Sequence, residues 1–182
     1  LLYVDDTPLA FSIPGFDWDR LLITLRHDLM VVPGSELRFW LSDPRVVLIP
    51  VSPSLHKTLG VKPYAIATDP SKFQEAVLVG GKENYYGECG FQLQTDHPGY
   101  VRMDRNLFKR LSGNFSPSRG DLVFSKGGQV IGIMVNKQYC ALVNSFRPMY
   151  TLRAGMSETL PNTANILAAM QMWIERLPLA LQ

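Results

Sequence analysis

Short apolar runs separated by turn-forming residues dominate the first two-thirds of the chain. Pro14-Gly15, Pro33-Gly34, Asp43-Pro44 and the segment 50–53 are typical breaks between such runs. Strand-like runs recurring roughly every 8–12 residues predict a barrel or a sandwich rather than alternating strands and helices. The predicted strands cover residues 11–13, 21–25, 37–41, 45–51, 64–67, 76–79, 90–93, 100–103, 121–124, 130–135 and 140–143.

The pattern changes to helical spacing near the end of the chain. In the segment 162–174, Ile166, Leu167, Met170 and Trp173 fall on one helical face. Asn162 or Thr163 can act as the N-cap of this helix, and Pro178 lies beyond its end. A shorter helical turn is predicted over 104–111, between two strand-like runs.

The most informative motif spans residues 115–136, FSPSRGDLVFSKGGQVIGIMVN. Its second part predicts a hairpin with a glycine-rich turn. It resembles the strand pair that follows the nucleophile in trypsin-like serine proteases, where Gly-Asp/Asn-Ser-Gly-Gly-Pro leads into Leu-Val, a short turn and Val-Ile-Gly-Ile. The serine of that family lies on a tight loop, where backbone N–H groups converge on the forming oxyanion.

A second motif supports the same resemblance. The segment 21–29, LLITLRHDL, is similar to the family's strand ending in Thr-Ala-Ala-His or Thr-Asn-Arg-His, which delivers the histidine to the cleft. The resemblance implies an all-β, chymotrypsin-like double β-barrel with a C-terminal α-helix. We expect a compact first barrel over 1–52, a second barrel over 53–160 and a helix over 161–182 that packs on the barrels, together forming one unit within a longer chain.

The resemblance implies a catalytic triad, for which the sequence leaves alternatives. Matching Leu122-Val123 to the family makes Ser118 the nucleophile, whereas an ungapped match of the hairpin puts Arg119 there, and Ser116 is a third alternative. His27 would be the general base, and Asp43 before an apolar strand would orient it. Glu75 and Asp69 are rival carboxylates, and a turn role is an equal interpretation for Asp43.

The same match assigns the oxyanion hole and the substrate pocket. The oxyanion donors would be the backbone amides of Ser116 and Ser118, with Pro117 restricting Ser116 to extended conformations. The segment 112–115 carries no acid, so a neutral, medium-sized substrate side chain is expected. The pocket is expected to be shaped by Ser112–Phe115 and by Met134–Lys137, and the substrate-binding residues assigned within these segments are Ser112, Gly113, Asn114, Phe115, Val135 and Asn136.

Composition excludes several other classes of function. The formal net charge is +2, from 18 basic and 16 acidic residues, which gives no basic footprint for nucleic acid or an anionic membrane. No apolar run reaches the roughly 18–20 residues needed to cross a bilayer. Cys89 and Cys140 are expected as buried thiols, with one disulfide as the alternative, and this favours a cytoplasmic setting. No metal-ligand spacing or phosphate loop is present, so no cofactor or metal is expected.

Two functions follow from the resemblance, and an unrelated all-β binding domain, with an accidental hairpin match, is a third interpretation. The first is a trypsin-like serine endopeptidase that hydrolyses peptide bonds through a Ser/His/Asp triad. The alternative is an inactive pseudo-protease that serves as a protein-binding or regulatory module. In both, the expected partner is a peptide or protein, which includes other domains of the same longer chain.

Overall fold

The computed structural model describes residues 2–3, 22–73, 75–80, 85–104, 117–155 and 163–182. In chain order, its strands are β1 (Leu2–Tyr3), β2 (Ile23–His27), β3 (Met30–Gly34), β4 (Glu36–Trp40), β5 (Val46–Leu48), β6 (Glu75–Gly80), β7 (Tyr85–Leu93), β8 (Tyr100–Asp104), β9 (Leu122–Ser125), β10 (Val130–Met134), β11 (Tyr139–Leu142) and β12 (Pro148–Arg153). The α-helices are α1 (Pro53–Leu59) and α2 (Thr163–Glu175), and Pro70–Lys72 forms a 3₁₀ turn.

The chain divides into two compact units. Unit 1 combines Leu1–Pro63 with Phe146–Pro178, and unit 2 combines Tyr64–Ser145 with Leu179–Gln182. The larger segment of unit 2, Tyr64–Ser145, is therefore inserted between the two segments of unit 1, and its short second segment follows them. This division differs from the expected boundaries at 52 and 160, since α1 and β12 both belong to unit 1.

Unit 1 contains two antiparallel sheets. One has the strand order β1-β5-β4-β12, and the other is the hairpin of β2 and β3. Phe39 and Met170 are fully buried, which shows that the core lies between the sheet and α2. The members of this core are Ile23, Leu37, Phe39, Val47, Leu152, Leu167 and Met170. The predicted apolar face of the terminal helix is confirmed, because Leu167 and Met170 are the helix residues buried there.

Unit 2 is a closed antiparallel barrel with the strand order β10-β11-β8-β7-β6-β9. Three consecutive strands, β6, β7 and β8, are followed by β9, which returns to pair with β6. This is the strand order of a Greek key. β11 then pairs with β8, so that every strand of the barrel has two hydrogen-bonded neighbours. The all-β prediction is confirmed at this level, as a mostly β chain with one closed six-stranded barrel.

Close packing between β10 and β11 explains the glycine in the Val-Ile-Gly-Ile motif. A Cβ atom at Gly132 would collide with the carbonyl oxygen of Ala141 and come within 2.5 Å of Cys140 Sγ. Cys140 and Cys89 are buried thiols of the barrel core that form no disulfide, as expected. Burial raises the pKa of the Cys140 thiol, and the nearby Cys89 raises it further.

The predicted glycine-rich hairpin is present as β9 and β10. Ser125 N–H donates to Gln129 O at 2.8 Å, and Gly128 has a positive φ of 80°. The loop of Lys126, Gly127 and Gly128 is thus a three-residue connection that ends in a left-handed glycine. The pairing then shifts between Val130 and Gly132, so β10 carries one extra residue relative to β9.

Several elements differ from the sequence-based expectation. Pro33-Gly34 was expected as a break but lies at the end of β3. Pro53 begins α1, with Ser52 as the N-cap and Gly60 in the left-handed conformation at the C-terminus. β12 was not predicted, and the predicted strand 64–67 is reduced to a single bridge between Ile66 and Val130. The predicted strand 11–13 and nearly all of the helical turn 104–111 lie outside the described residues.

Candidate active site

The predicted nucleophile Ser118 lies in a tight turn that leads into β9. Asp121 N–H donates to Ser118 O at 3.2 Å, which leaves Arg119 and Gly120 as the two central residues of the turn. Gly120 has a φ of 86°, the positive value that a type II turn requires at its third position. Gly120 N–H also donates to Met134 O at 2.9 Å, and this bond ties the turn to the end of β10.

The backbone amide of Ser118 is already engaged within this turn. It donates to Asp121 Oδ2 at 2.8 Å, and the Asp121 side chain is buried. An oxyanion at this amide would replace the carboxylate as acceptor and would lie beside its negative charge. The oxyanion role of Ser118 stays a prediction, and the contact with Asp121 opposes it. Ser116 and the predicted pocket residues Ser112, Gly113, Asn114 and Phe115 lie outside the described residues.

Val135 and Asn136, the other two predicted substrate-binding residues, begin the turn between β10 and β11. Val135 is buried, and its N–H donates to Tyr139 O at 2.9 Å. Asn136 Oδ1 accepts from the N–H groups of Gln138 and Tyr139, both at 2.9 Å. Asn136 Nδ2 donates to Ala180 O at 3.0 Å. The Asn136 amide thus fixes the turn and holds the end of the chain against unit 2.

A cavity of about 530 Å³ lies beside Ser118. Its size falls within the range of roughly 300–1,000 Å³ that is typical of ligand sites. Ser118, the predicted nucleophile, and Asn136, a predicted substrate-binding residue, both line this cavity. The complete described lining is Ser118, Arg119, Asn136, Lys137, Gln138 and Ala180.

His27, the predicted general base, lies at the end of β2 beside a two-residue turn. Its partner across the hairpin is Met30, and Asp28 in the turn has a φ of 50°. The His27 side chain is half-exposed, and Nδ1 lies 3.7 Å from Asp28 Oδ2. Asp28 is a carboxylate adjacent in sequence that was not considered as an orienting group.

Asp43, the predicted orienting carboxylate, is fully buried and bound to Arg45. Arg45 Nε lies 3.0 Å from Asp43 Oδ1, and Arg45 Nη2 lies 2.7 Å from Oδ2. Arg45 N–H also donates to Oδ1 at 3.0 Å, while Val46 N–H donates to Asp43 O at 3.0 Å. Asp43 therefore starts a turn with Pro44 at its second position, the alternative role that the sequence left open.

The two rival carboxylates also have local partners. Asp69 caps the 3₁₀ turn, since it accepts from the N–H and the hydroxyl of Ser71. The hydrogen bond from the Ser71 hydroxyl is the main reason why the pKa of Asp69 is lowered. Glu75 pairs with Lys126, whose pKa is raised mainly by the hydrogen bond to Glu75.

The predicted site residues are divided between the two units. Ser118 and Asn136 line one cavity in unit 2, whereas His27 and Asp43 belong to unit 1. Within unit 1, His27 Nδ1 lies 3.7 Å from the Asp28 carboxylate, and Asp43 forms an ion pair with Arg45. The Ser118, His27, Asp43 triad stays a prediction.

Sequence reasoning missed three residues of the cavity. Arg119 was not considered as a ligand-binding residue, and Gln138 was not singled out, whereas Lys137 ends the segment that was expected to shape the pocket. The asparagine two residues before Gln138 is a recognisable turn signal that could have located Gln138 in the same turn. Nothing in the sequence indicates that Ala180 lines the same cavity, because it is remote along the chain.

Among the described residues, no group of three or more His, Cys, Asp or Glu side chains could hold a metal ion. The described helices include none that is long and apolar enough to span a bilayer. Comparison with protein-family models, curated proteins and solved structures finds no match.

Proposed function

We propose that this chain is a chymotrypsin-fold domain that binds peptides beside Ser118 without performing acyl transfer. The proposal combines the fold to which the sequence motifs point with the local contacts of the predicted triad residues. The observation that carries it is the hydrogen bond from the Ser118 amide to the Asp121 carboxylate at 2.8 Å.

Two features support the chymotrypsin-type fold. The closed six-stranded Greek-key barrel is the architecture that the resemblance implies for the second barrel. The turn bearing Ser118 leads directly into β9 and the β9–β10 hairpin, the order of elements found after the nucleophile in trypsin-like proteases. The double-barrel fold, with unit 1 as a degenerate first barrel, is part of the proposal.

The local contacts favour an inactive site for a chemical reason. Acyl transfer requires N–H donors directed at the position of the forming oxyanion, and losing one donor lowers the rate by roughly 10²–10³. The Ser118 amide faces a carboxylate instead, so an oxyanion there would lose a donor and meet a negative charge. The ion pair between Asp43 and Arg45 further removes the expected orienting group from His27.

The cavity supports binding. It is bordered by the Ser118–Asp121 turn, which precedes β9, and by the turn between β10 and β11. Hydrogen bonds hold both turns in place. A site whose walls are ordered before binding loses less conformational entropy when a peptide enters. A peptide side chain entering beside Ser118 would occupy the place that a substrate side chain takes in the protease family.

A fluorophosphonate probe tests the absence of acyl-transfer chemistry, because it labels only activated serines. We expect the intact folded protein to be labelled no more than its Ser118→Ala variant, as measured by mass spectrometry of the Ser118 peptide. A trypsin sample in the same tube shows that the probe is active. Specific labelling of Ser118 would overturn the proposal.

The second candidate is an active serine endopeptidase with Ser118 as nucleophile, His27 as general base and Asp43 as orienting group. One observation favours it, namely that Ser118 is exposed on a tight turn beside the cavity. This candidate requires Asp121 to release the Ser118 amide when substrate binds. The labelling experiment separates the two candidates directly.

A further inference from the structure

The segment Leu179–Gln182, which we call the docked segment, provides part of the wall of the cavity beside Ser118. It follows α2 in the sequence, but it groups with unit 2, whereas the chain from Phe146 to Pro178 groups with unit 1. Within the docked segment, Ala180 lines the same cavity as Ser118. The chain therefore holds a piece of itself at the site that we propose for peptides.

Two residues of the docked segment are fixed in place. Asn136 Nδ2 donates to Ala180 O at 3.0 Å, so the group that it binds is a backbone carbonyl, which every peptide carries. Leu181 is 1% exposed, although Ala180 and Gln182 on either side of it are exposed. The docked segment thus combines a hydrogen bond to its main chain with one buried aliphatic side chain.

These two kinds of contact are also those by which proteins recognise extended peptides. Hydrogen bonds to the peptide main chain supply affinity, and pockets for individual side chains supply specificity. The two leucines of the docked segment differ in this respect, because Leu179 is 88% exposed whereas Leu181 is buried. Leu181 is therefore the anchor of the segment.

We propose that the docked segment is an internal ligand of the peptide site beside Ser118. A peptide then binds by displacing this segment and by placing an aliphatic side chain in the position of Leu181. The inference rests on the proposed function, because it takes the cavity beside Ser118 as the peptide site. It adds a regulation of that site, which the chain itself keeps occupied until a competing peptide is present.

Covalent attachment makes the docked segment an effective competitor. A segment joined by a short linker competes at an effective concentration in the millimolar range. If the open site binds the same sequence with a Kd on the order of 0.1 mM, the attached segment weakens the binding of an added peptide about tenfold.

Peptide binding by a variant with a released segment tests the proposal. The probe is a fluorescein-labelled peptide of residues 177–182, LPLALQ, and fluorescence polarisation measures its affinity. Leu181→Asp should bind the probe about tenfold more tightly than the parent, because docking the segment would bury a carboxylate. Leu179→Asp is the matched control, since it adds the same charge at an exposed position, and it should bind the probe like the parent.

A second release variant and a second peptide sharpen this test. Deletion of residues 179–182 removes the docked segment without introducing a charge, and it should match Leu181→Asp. The peptide LPLADQ, which lacks the anchor leucine, should bind none of these proteins. Equal affinity for LPLALQ in the parent and in the release variants would overturn the proposal.

A measurement on the unchanged protein decides the case in which both release variants unfold. Unlabelled LPLALQ at about 5 mM exceeds the effective concentration of the attached segment. It should move the backbone amide signals of Leu179 and Leu181 in the ¹⁵N-labelled parent to random-coil positions, and LPLADQ should not. Signals that keep their positions with LPLALQ would overturn the proposal.

The outcomes separate this inference from the proposed function. If the parent and the release variants bind the probe equally, the peptide site stands and its internal ligand fails. If a fluorophosphonate labels Ser118 in Leu181→Asp but not in the parent, the absence of acyl-transfer chemistry fails, whereas the internal ligand stands. If no form of the protein binds the probe and the signals of the docked segment do not move, both fail.

Discussion

The two units of this chain solve the problem of a β-sheet edge in different ways. In unit 2, six strands from one continuous stretch of sequence pair in a ring, so none of them is left with an open edge. In unit 1, the four-stranded sheet ends at β1 on one side and at β12 on the other. Its core includes Leu152, Leu167 and Met170, which come from beyond the barrel in sequence.

The two units therefore differ in how far apart in the sequence their core residues lie. The barrel core is supplied almost entirely by residues between Tyr64 and Ser145, and short connections link most of its strands. Unit 1 must bring together segments separated by the whole barrel, which carries a larger entropy cost of loop closure. We therefore expect unit 1 to respond more sharply when a buried group is changed.

The chain provides a separate reporter for each unit. Trp18, Trp40 and Trp173 are its three tryptophans, and all fall within the segments of unit 1. Both cysteines are buried in the barrel of unit 2. Tryptophan fluorescence thus follows unit 1, and the reactivity of the thiols follows unit 2.

The largest effect is expected from Asp43→Ala in unit 1. The change leaves the buried Arg45 guanidinium without its bidentate carboxylate, which typically costs about 3–5 kcal/mol. Urea unfolding monitored by tryptophan fluorescence measures the loss. Glu36→Ala is a matched control, because Glu36 also pairs with an arginine two residues later but is partly exposed. It should cost less than about 1 kcal/mol; equal losses would contradict the prediction.

Gly132→Ala should produce the largest effect in the barrel, about 3 kcal/mol. The new methyl group would collide with the backbone of β11 at Ala141, which cannot move without disturbing the barrel. Thiol reactivity as a function of urea concentration measures the change. Gly127→Ala in the same hairpin is the control, since its nearest neighbour would be Ser125 Oγ at 3.7 Å. If Gly132→Ala is as stable as the parent protein, β10 and β11 are less closely packed than described.

Asn136→Ala should destabilise the barrel by about 1–2 kcal/mol. The change removes the acceptor for two backbone N–H groups and the donor to Ala180. Asn136→Asp keeps the acceptor and loses only the donor, so it should recover about half of the loss. Hydrogen exchange at the amide of Tyr139 reports the turn itself. Identical exchange in the parent and both variants would show that this side chain does not hold the turn.

The smallest effect is expected from Ser52→Ala, about 1 kcal/mol in unit 1. Ser52 Oγ accepts the Leu55 N–H at the start of α1, and alanine cannot replace this cap. Thr58→Ala in the same helix is the control and should be neutral or slightly stabilising, since alanine is the better helix former. Tryptophan-monitored unfolding distinguishes the two variants. A larger loss from Thr58→Ala than from Ser52→Ala would contradict the assignment of the cap.

The strands of the barrel were the most predictable part of the fold. Their apolar runs are flanked by glycine, proline and asparagine, and the runs at 76–79, 90–93, 100–103, 121–124, 130–135 and 140–143 all became strands. β3 was not predicted because Pro33-Gly34 normally ends a strand. β3 tolerates Pro33 near its end because, among the strands that the structure describes, it pairs with β2 alone, as on an edge.

α1 could have been predicted from its ends. Ser52, Pro53 and Gly60 form the N-cap, first-turn proline and C-terminal glycine of a standard helix, but the two prolines at 50 and 53 led to an interpretation as a loop. β12 could not have been inferred from local pattern, because it forms by pairing with β4, and the whole barrel segment separates the two strands in the sequence.

The candidate site was less predictable than the fold. The hairpin motif correctly located the turn that carries Ser118 and the loop at Asn136. The carboxylate partners could not be read from sequence, because a nearby arginine or serine can bind an aspartate as readily as a histidine can. Asp43 with Arg45 and Asp69 with Ser71 are both such cases.

The position of the barrel between α1 and β12 has a consequence for how the protein is made. Each strand of the barrel is synthesised, and leaves the ribosome, before β12 and α2 do. The barrel strands can therefore pair during translation before β2 to β5 meet the partners that cover their apolar face. A nascent chain whose barrel has left the ribosome, but whose β12 and α2 have not, would then carry a paired barrel preceded by an exposed sheet that depends on chaperones.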